Sequence, residues 1–116
     1  MKSITFRYSL AIFLLSGNFL YQQVVQTLIH DTGQGAHPSI VQVSTNVFAV
    51  AYHGTNGKGI IKTFTIASDG STITENRELQ HDGRKAKYNS LIQVDSDTYH
   101  LAYEGGSNDG FIKTFT

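Results

Sequence analysis

The sequence predicts an all-β fold made of short antiparallel strands in tandem four-stranded repeats. Three observations carry this. First, Thr, Val, Ile, Tyr and Phe are abundant while Pro occurs once, a bias toward pleated, half-buried strands. Second, the chain repeats itself at an offset of 51 without a gap. Ser39–Gly54 reads SIVQVSTNVFAVAYHG and Ser90–Gly105 reads SLIQVDSDTYHLAYEG. IKTFT occurs at Ile61–Thr65 and again at Ile112–Thr116, and His30-Asp31 matches His81-Asp82. Residues 30–65 set against 81–116 hold 14 identities in 36 positions. Third, Gly- and Asx-rich turns punctuate the apolar runs at strand-length intervals.

Each element follows in order. Residues 1–20 carry Lys2 and Arg7, the uncharged apolar run Tyr8–Leu15 and the small pair Ser16-Gly17. This is the pattern of a secretory signal, too short for a membrane span of about 20 apolar residues. A β-hairpin turning at Ser16–Asn18 is the alternative. Residues 21–31 align by the same offset with 72–82. They are expected to form the outer strand of a preceding unit, or a strand that closes the last one.

The first full unit covers 32–82. Ser39–Val43 is a short apolar strand followed by a Ser-Thr-Asn turn at 44–46. Val47–His53 puts Phe48, Val50 and Tyr52 on one face and Val47, Ala49 and Ala51 on the other. Two apolar faces mark a strand covered on both sides. The Gly-rich segment 54–59 turns into Ile60–Ile66, the third strand. Asp69-Gly70 is a hairpin turn. Thr72–Leu79 is a fourth, more polar strand suited to an outer edge. Lys62 inside the third strand is expected to pair with Glu75 or Glu78. A loop over 80–89 leads to the second unit, 83–116, which contains three strands.

Four antiparallel strands in a period near 50 is the arithmetic of a β-propeller blade. The chain resembles the propeller-type repeats of secreted archaeal and bacterial surface proteins. The residues that carry the likeness are Ala51-Tyr52, Gly54, Ile61–Phe64 and Asp69-Gly70, then Ala102-Tyr103, Gly105 and Asp109–Phe115. They span most of 30–116. The first unit departs from the pattern, with Lys58 where the second has Asp109. The resemblance implies an incomplete ring of blades, with further blades in cis or an oligomeric ring as partners.

Charge and composition narrow the function classes. Nine Lys+Arg balance nine Asp+Glu, which disfavours a nucleic-acid surface. Without cysteine there is no disulfide or thiolate site. No P-loop, dinucleotide fingerprint, H-E-x-x-H or G-x-S-x-G motif occurs. His30-Asp31 and His81-Asp82 could each be a base with its orienting carboxylate. Their repetition on successive units favours a buttressing role. Residues 105–110 resemble a calcium loop only through Glu104, Asn108 and Asp109, and a plain turn is favoured. No cofactor is expected. Arg84, Lys85 and Lys87 read as a solvated basic loop.

The long loops 32–38, 54–59, 83–89 and 105–110 are expected at one end of the units, and the short turns 44–46, 67–71 and 95–97 at the other. Ligand contacts are expected on the long-loop end, at His30, Asp31, His37, His81, Asp82, Arg84, Tyr88 and Asp109. The predicted function is a non-catalytic recognition or adhesion scaffold, secreted or at the cell surface, for a glycan or protein. A fragment of a propeller-fold hydrolase or lyase, or a structural spacer in a larger surface protein, are the alternatives.

Overall fold

A computed structural model describes residues 23–116, so the signal or hairpin expected over 1–20 lies outside the described residues. The fold is all-β. Seven strands are present among the described residues: β1 (Ala36–Ser44), β2 (Val47–His53), β3 (Gly59–Ile66), β4 (Ile73–Asp82), β5 (Lys87–Asp95), β6 (Thr98–Glu104) and β7 (Gly110–Phe115). They form two antiparallel sheets with strands in chain order, β1-β2-β3-β4 and β5-β6-β7. No closed ring of sheets is formed among the described residues.

Local chemistry explains the turns. Between β3 and β4, the Asp69 carboxylate accepts the Ser71 N–H at 2.9 Å, and Gly70 takes φ 77°. That left-handed conformation is natural for glycine. After β2, residues Thr55–Gly57 make one 3-10 turn with Asn56 and Gly57 at positive φ. After β6, Gly106–Asn108 repeat it with Ser107 and Asn108 in the same two places.

Two strands reach further than their sequences suggest. β4 continues to Asp82 and β5 begins at Lys87, so the loop expected over 80–89 shrinks to four residues. β1 begins at Ala36, inside the expected loop 32–38. Each of β1 and β5 has a bulge near its start, between Ala36 and Ser39 and between Lys87 and Ser90. His37 and Tyr88, 51 residues apart, take φ 51° and 54° in these bulges. By contrast, residues 23–29 are not assigned as strand, where the sequence predicts one over 21–31. A strand needs a neighbour for its backbone groups, and no described strand flanks them.

The sheets pack face to face. Ala49 and Ala51 of β2 meet Leu91, Leu101 and Tyr103 of the second sheet, with Ile61, Tyr99 and Phe115 at the margin. The other face of β2 and β3 carries a separate cluster of Val50, Tyr52 and Phe64. Small residues on one face and large ones on the other let the next sheet approach closely while filling the space. The first strands of the two sheets are neighbours. The Leu91 N–H donates to Ser39 Oγ at 3.0 Å, and Asn89 Nδ2 donates to the His37 carbonyl at 3.2 Å. The long-range order is thus sheet against sheet, joined at β1 and β5, with β4 on the outside.

Candidate functional site

The His-Asp pairs sit at the ends of outer segments and are built into the fold. Asp82 closes β4. Its Oδ2 accepts the Tyr103 hydroxyl at 2.7 Å, and its Oδ1 accepts the backbone N–H groups of Arg84 at 2.8 Å and Lys85 at 3.3 Å. Asp31 repeats this pattern. It accepts Tyr52 at 2.8 Å, Gly33 N–H at 2.8 Å and Gln34 N–H at 3.2 Å. The backbone carbonyl before each Asp takes a lysine. Lys62 Nζ donates to the His30 carbonyl at 2.8 Å, and Lys113 Nζ donates to that of His81. Lys62 also pairs with Glu75 at 3.2 Å and Glu78 at 3.8 Å, both of the partners expected from sequence.

The electrostatics agree with a structural use. Bonds from Tyr52 and from Gly33 N–H hold the Asp31 carboxyl below its ordinary range. For Asp82, burial pushes upward but the bonds from Arg84, Tyr103 and Lys85 outweigh it, so it too is lowered. Burial and the Asp82 bond push the Tyr103 hydroxyl up to about 12. Burial depresses the His81 imidazole to about 4, helped by the Lys113 charge. Neither His81 ring nitrogen has a hydrogen-bond partner. The ring packs edge-on against Tyr103, with centroids 5.0 Å apart, and lies over Gly59. His30 stands on Tyr52 in the same way, at 4.6 Å. In a catalytic His-Asp pair the carboxylate orients the imidazole ring. Here the carboxylate oxygens serve tyrosine and backbone donors, so each imidazole acts as a packing wedge.

The remaining predicted residues gather at the long-loop end. The Ala86 N–H donates to the Gly57 carbonyl at 3.1 Å, which docks the turn after β2 on the loop between the sheets. His37 lies edge-on to Tyr88 at 4.5 Å and to His53 at 5.9 Å. Tyr88 is 64% exposed. Arg84 lies over Gly106 of the turn after β6. Asp109 ends that turn, its N–H donating to the Gly106 carbonyl at 3.2 Å. The short turns are clustered elsewhere, with the Ile66 N–H donating to the Asn46 carbonyl at 2.8 Å.

Two further residues of this end lie outside the predicted ligand contacts, and one of them, Lys85, is ion-paired rather than merely solvated as the sequence suggests. His53 closes β2, is buried and has an unpartnered Nδ1. Burial, followed by the neighbouring His37, lowers its basicity. Lys85 spans the end, donating to Glu104 Oε2 at 3.3 Å and to Asn108 Oδ1. Its ammonium thus takes up two of the three oxygen ligands that a cation in the 105–110 turn would need. Among the described residues, no three His, Cys, Asp or Glu come together as a metal site. The signal that would have found His53 is divergence between the units. It aligns with Glu104, as His37 aligns with Tyr88.

These features define a class by architecture: an all-β protein of two antiparallel sheets packed face to face, with an Asp-Tyr-Lys arrangement that joins the sheets at Asp82 and recurs at Asp31, where it ties residues 30–31 to the first sheet. No family model, curated protein or solved structure matches the chain. Among the described residues, no helix is long and apolar enough to cross a membrane.

Proposed function

We propose that the chain is a non-catalytic, propeller-like repeat protein of the cell surface or extracellular space. It acts as a recognition or adhesion scaffold whose long-loop end takes a glycan or protein ligand. One observation carries this reading. The recurring Asp, Tyr and Lys groups are spent on structural bonds, between the two sheets at Asp82 and His81 and onto the first sheet at Asp31 and His30, while several residues that differ between the units gather at the long-loop end. His37, His53, Tyr88 and Arg84 are of that second kind. An exposed aromatic beside hydrogen-bonding and cationic groups suits a ligand with both apolar and polar surface. A four-stranded and a three-stranded antiparallel meander, consecutive in the chain and neighbours through their first strands, support blades as the unit of construction. The signal-like start of the sequence supports export.

The test is binding by the full chain to a glycan array and to immobilised extracellular proteins. Tyr88→Ala and Arg84→Ala should each reduce binding at least several-fold while leaving the unfolding midpoint in place. Substitutions at 95–97 should leave binding intact. Loss of binding through 95–97 in a folded protein, or no binding on either platform, overturns the reading.

A further inference from the structure

The charges of this neutral chain are divided between its two ends. The long loops carry Lys58, Arg84, Lys85 and Lys87 against Asp109, whereas the short turns carry Asp69, Asp95 and Asp97 and no Lys or Arg. The other acidic groups near the long-loop end are already answered. Glu104 pairs with Lys85, and Asp31 and Asp82 have Lys62 and Lys113 beside them. Arg84 and Lys87 make no ion pair among the described residues, and residues 1–22 contain no Asp or Glu to supply one. The buried His53 imidazole registers the same excess. Burial is the first cause of its lowered basicity, and the charged groups that add to it, His37, Lys87 and Lys85, are all basic.

Tyr88 stands in this field on a backbone at φ 54°, where a bulky side chain is strained and glycine is not. Its ring is mostly exposed, so burial does not repay the strain. The surrounding structure imposes it. Asn89, itself buried, donates from Nδ2 to the His37 carbonyl at 3.2 Å and to the Ala86 carbonyl at 2.9 Å, which fixes the two bulges against each other. The His37 ring, also on a left-handed backbone, stands edge-on to the Tyr88 ring. Strain held in place around an exposed aromatic belongs to binding sites rather than to cores. The Arg84 loop meets the turn after β2 at the same place. A Cβ on Gly57 would lie 2.9 Å from the Arg84 carbonyl oxygen and 3.5 Å from His53 Cε1.

We propose that the long-loop end binds an acidic polysaccharide, with a pyranose ring stacked on Tyr88 and an anionic group of the sugar, carboxylate or sulfate, held by Lys87 and Arg84. The inference rests on the reading of this end as a ligand site and names the chemistry that fills it. The face of a tyrosine ring is electron-rich and takes the polarised C–H groups of a sugar. Lys87 offers a mobile ammonium, and the Arg84 guanidinium offers two parallel N–H donors to a carboxylate or sulfate. Neither cation has to give up an ion pair among the described residues to do so. An acidic peptide presents the same charge without the ring of C–H groups, so Tyr88 favours the sugar.

The test titrates the full chain with polygalacturonate, its carboxyl-reduced neutral counterpart, dextran sulfate and poly-glutamate at one fixed ionic strength. Polygalacturonate or dextran sulfate should bind many-fold more tightly than the reduced polymer and than poly-glutamate. Binding of either supports the proposal, and their order tells carboxylate from sulfate. Lys87→Met and Arg84→Met should each weaken that binding several-fold. Tyr88→Gly suits the left-handed backbone, so it should abolish binding while leaving the unfolding midpoint in place. Equal binding of the reduced polymer, or no loss in the two methionine variants, overturns the acidic ligand while the end remains a site for a neutral one. Poly-glutamate binding as tightly as the polysaccharides, or undiminished binding by Tyr88→Gly, overturns the sugar. A chain that binds none of the four polymers but binds a neutral glycan or a protein overturns this proposal alone. A chain that binds nothing overturns the reading beneath it as well.

Discussion

The Tyr103 hydroxyl donates to the Asp82 carboxylate across 2.7 Å, and the two residues belong to different sheets. Asp82 ends the outermost strand of the first sheet, and Tyr103 lies on the middle strand of the second. The bond is therefore a clasp between repeat units. Its other oxygen shapes the connecting loop through Arg84 and Lys85 N–H, so one carboxylate fixes both the joint and the chain that crosses it.

Removing the two sides of this clasp should have unequal effects. Tyr103→Phe deletes one hydrogen bond and leaves Asp82 with its backbone donors, a loss of about 1–2 kcal/mol. Asp82→Ala orphans a buried hydroxyl and two loop N–H groups together, a loss of about 2–4 kcal/mol. Urea unfolding of the two variants measures the difference. Equal losses would mean that the loop bonds carry no weight.

Acid should weaken the protein in two stages. His81 has a folded pKa near 4, below its ordinary 6.5, so the unfolded chain binds its proton first. Its contribution is complete above pH 6.5 and is lost as pH falls toward 4, by roughly 3 kcal/mol in all. His53, also lowered, acts in the same direction. Asp31 and Asp82 follow below pH 3.8, where the unfolded carboxylates take up protons while the folded ones, with lowered values, stay charged. Unfolding free energies between pH 7.5 and 4.5 should fall steeply for the unsubstituted chain and less steeply for His81→Phe.

Gly59 is a position where one methyl group has no room. A Cβ there would collide with the His81 ring and come within 2.6 Å of the Ala86 side chain. Gly59→Ala should cost about 1–3 kcal/mol, as overpacking of a filled site does. Thermal unfolding gives the value, and a neutral result would show that the His81 ring can swing away.

The ion pairs of Lys62 should matter less than its bond to the backbone. Glu75 and Glu78 are each about half exposed, so Glu75→Gln should change stability by no more than about 1 kcal/mol. Lys62→Met leaves the His30 carbonyl without its charged donor and should cost about 1.5–3 kcal/mol. Paired chemical unfolding curves test this ranking.

Much of the scaffold was legible in the sequence, because strand alternation and turn chemistry are local. The strand cores 39–43, 47–53 and 60–66 and the Asp69-Gly70 turn all appear in place. The repeat offset also paired His30-Asp31 with His81-Asp82 before any contact was known. Other features depend on partners distant in sequence. Residues 80–82 look like loop because they are polar, yet β3 offers them a ladder, with Ile60 opposite Gln80 and Gly59 opposite Asp82. The bulges at His37 and Tyr88 escaped because neither position carries the glycine that most often marks a left-handed backbone. His53 was hidden by its place in an apolar strand. The aspartates were assigned to the ligand end by loop position, whereas their carboxylates point to tyrosines 21 residues further on.

The simple order of the strands has a consequence for how the protein folds. Every described strand pairs, among the described residues, only with its neighbour in the chain. Closing each pair therefore costs the entropy of a short loop. Folding of this kind starts within a hairpin and spreads unit by unit, with low contact order and fast kinetics for a β protein. The Asp82–Tyr103 clasp, which closes only 21 residues, then forms late as the joint between two units already assembled.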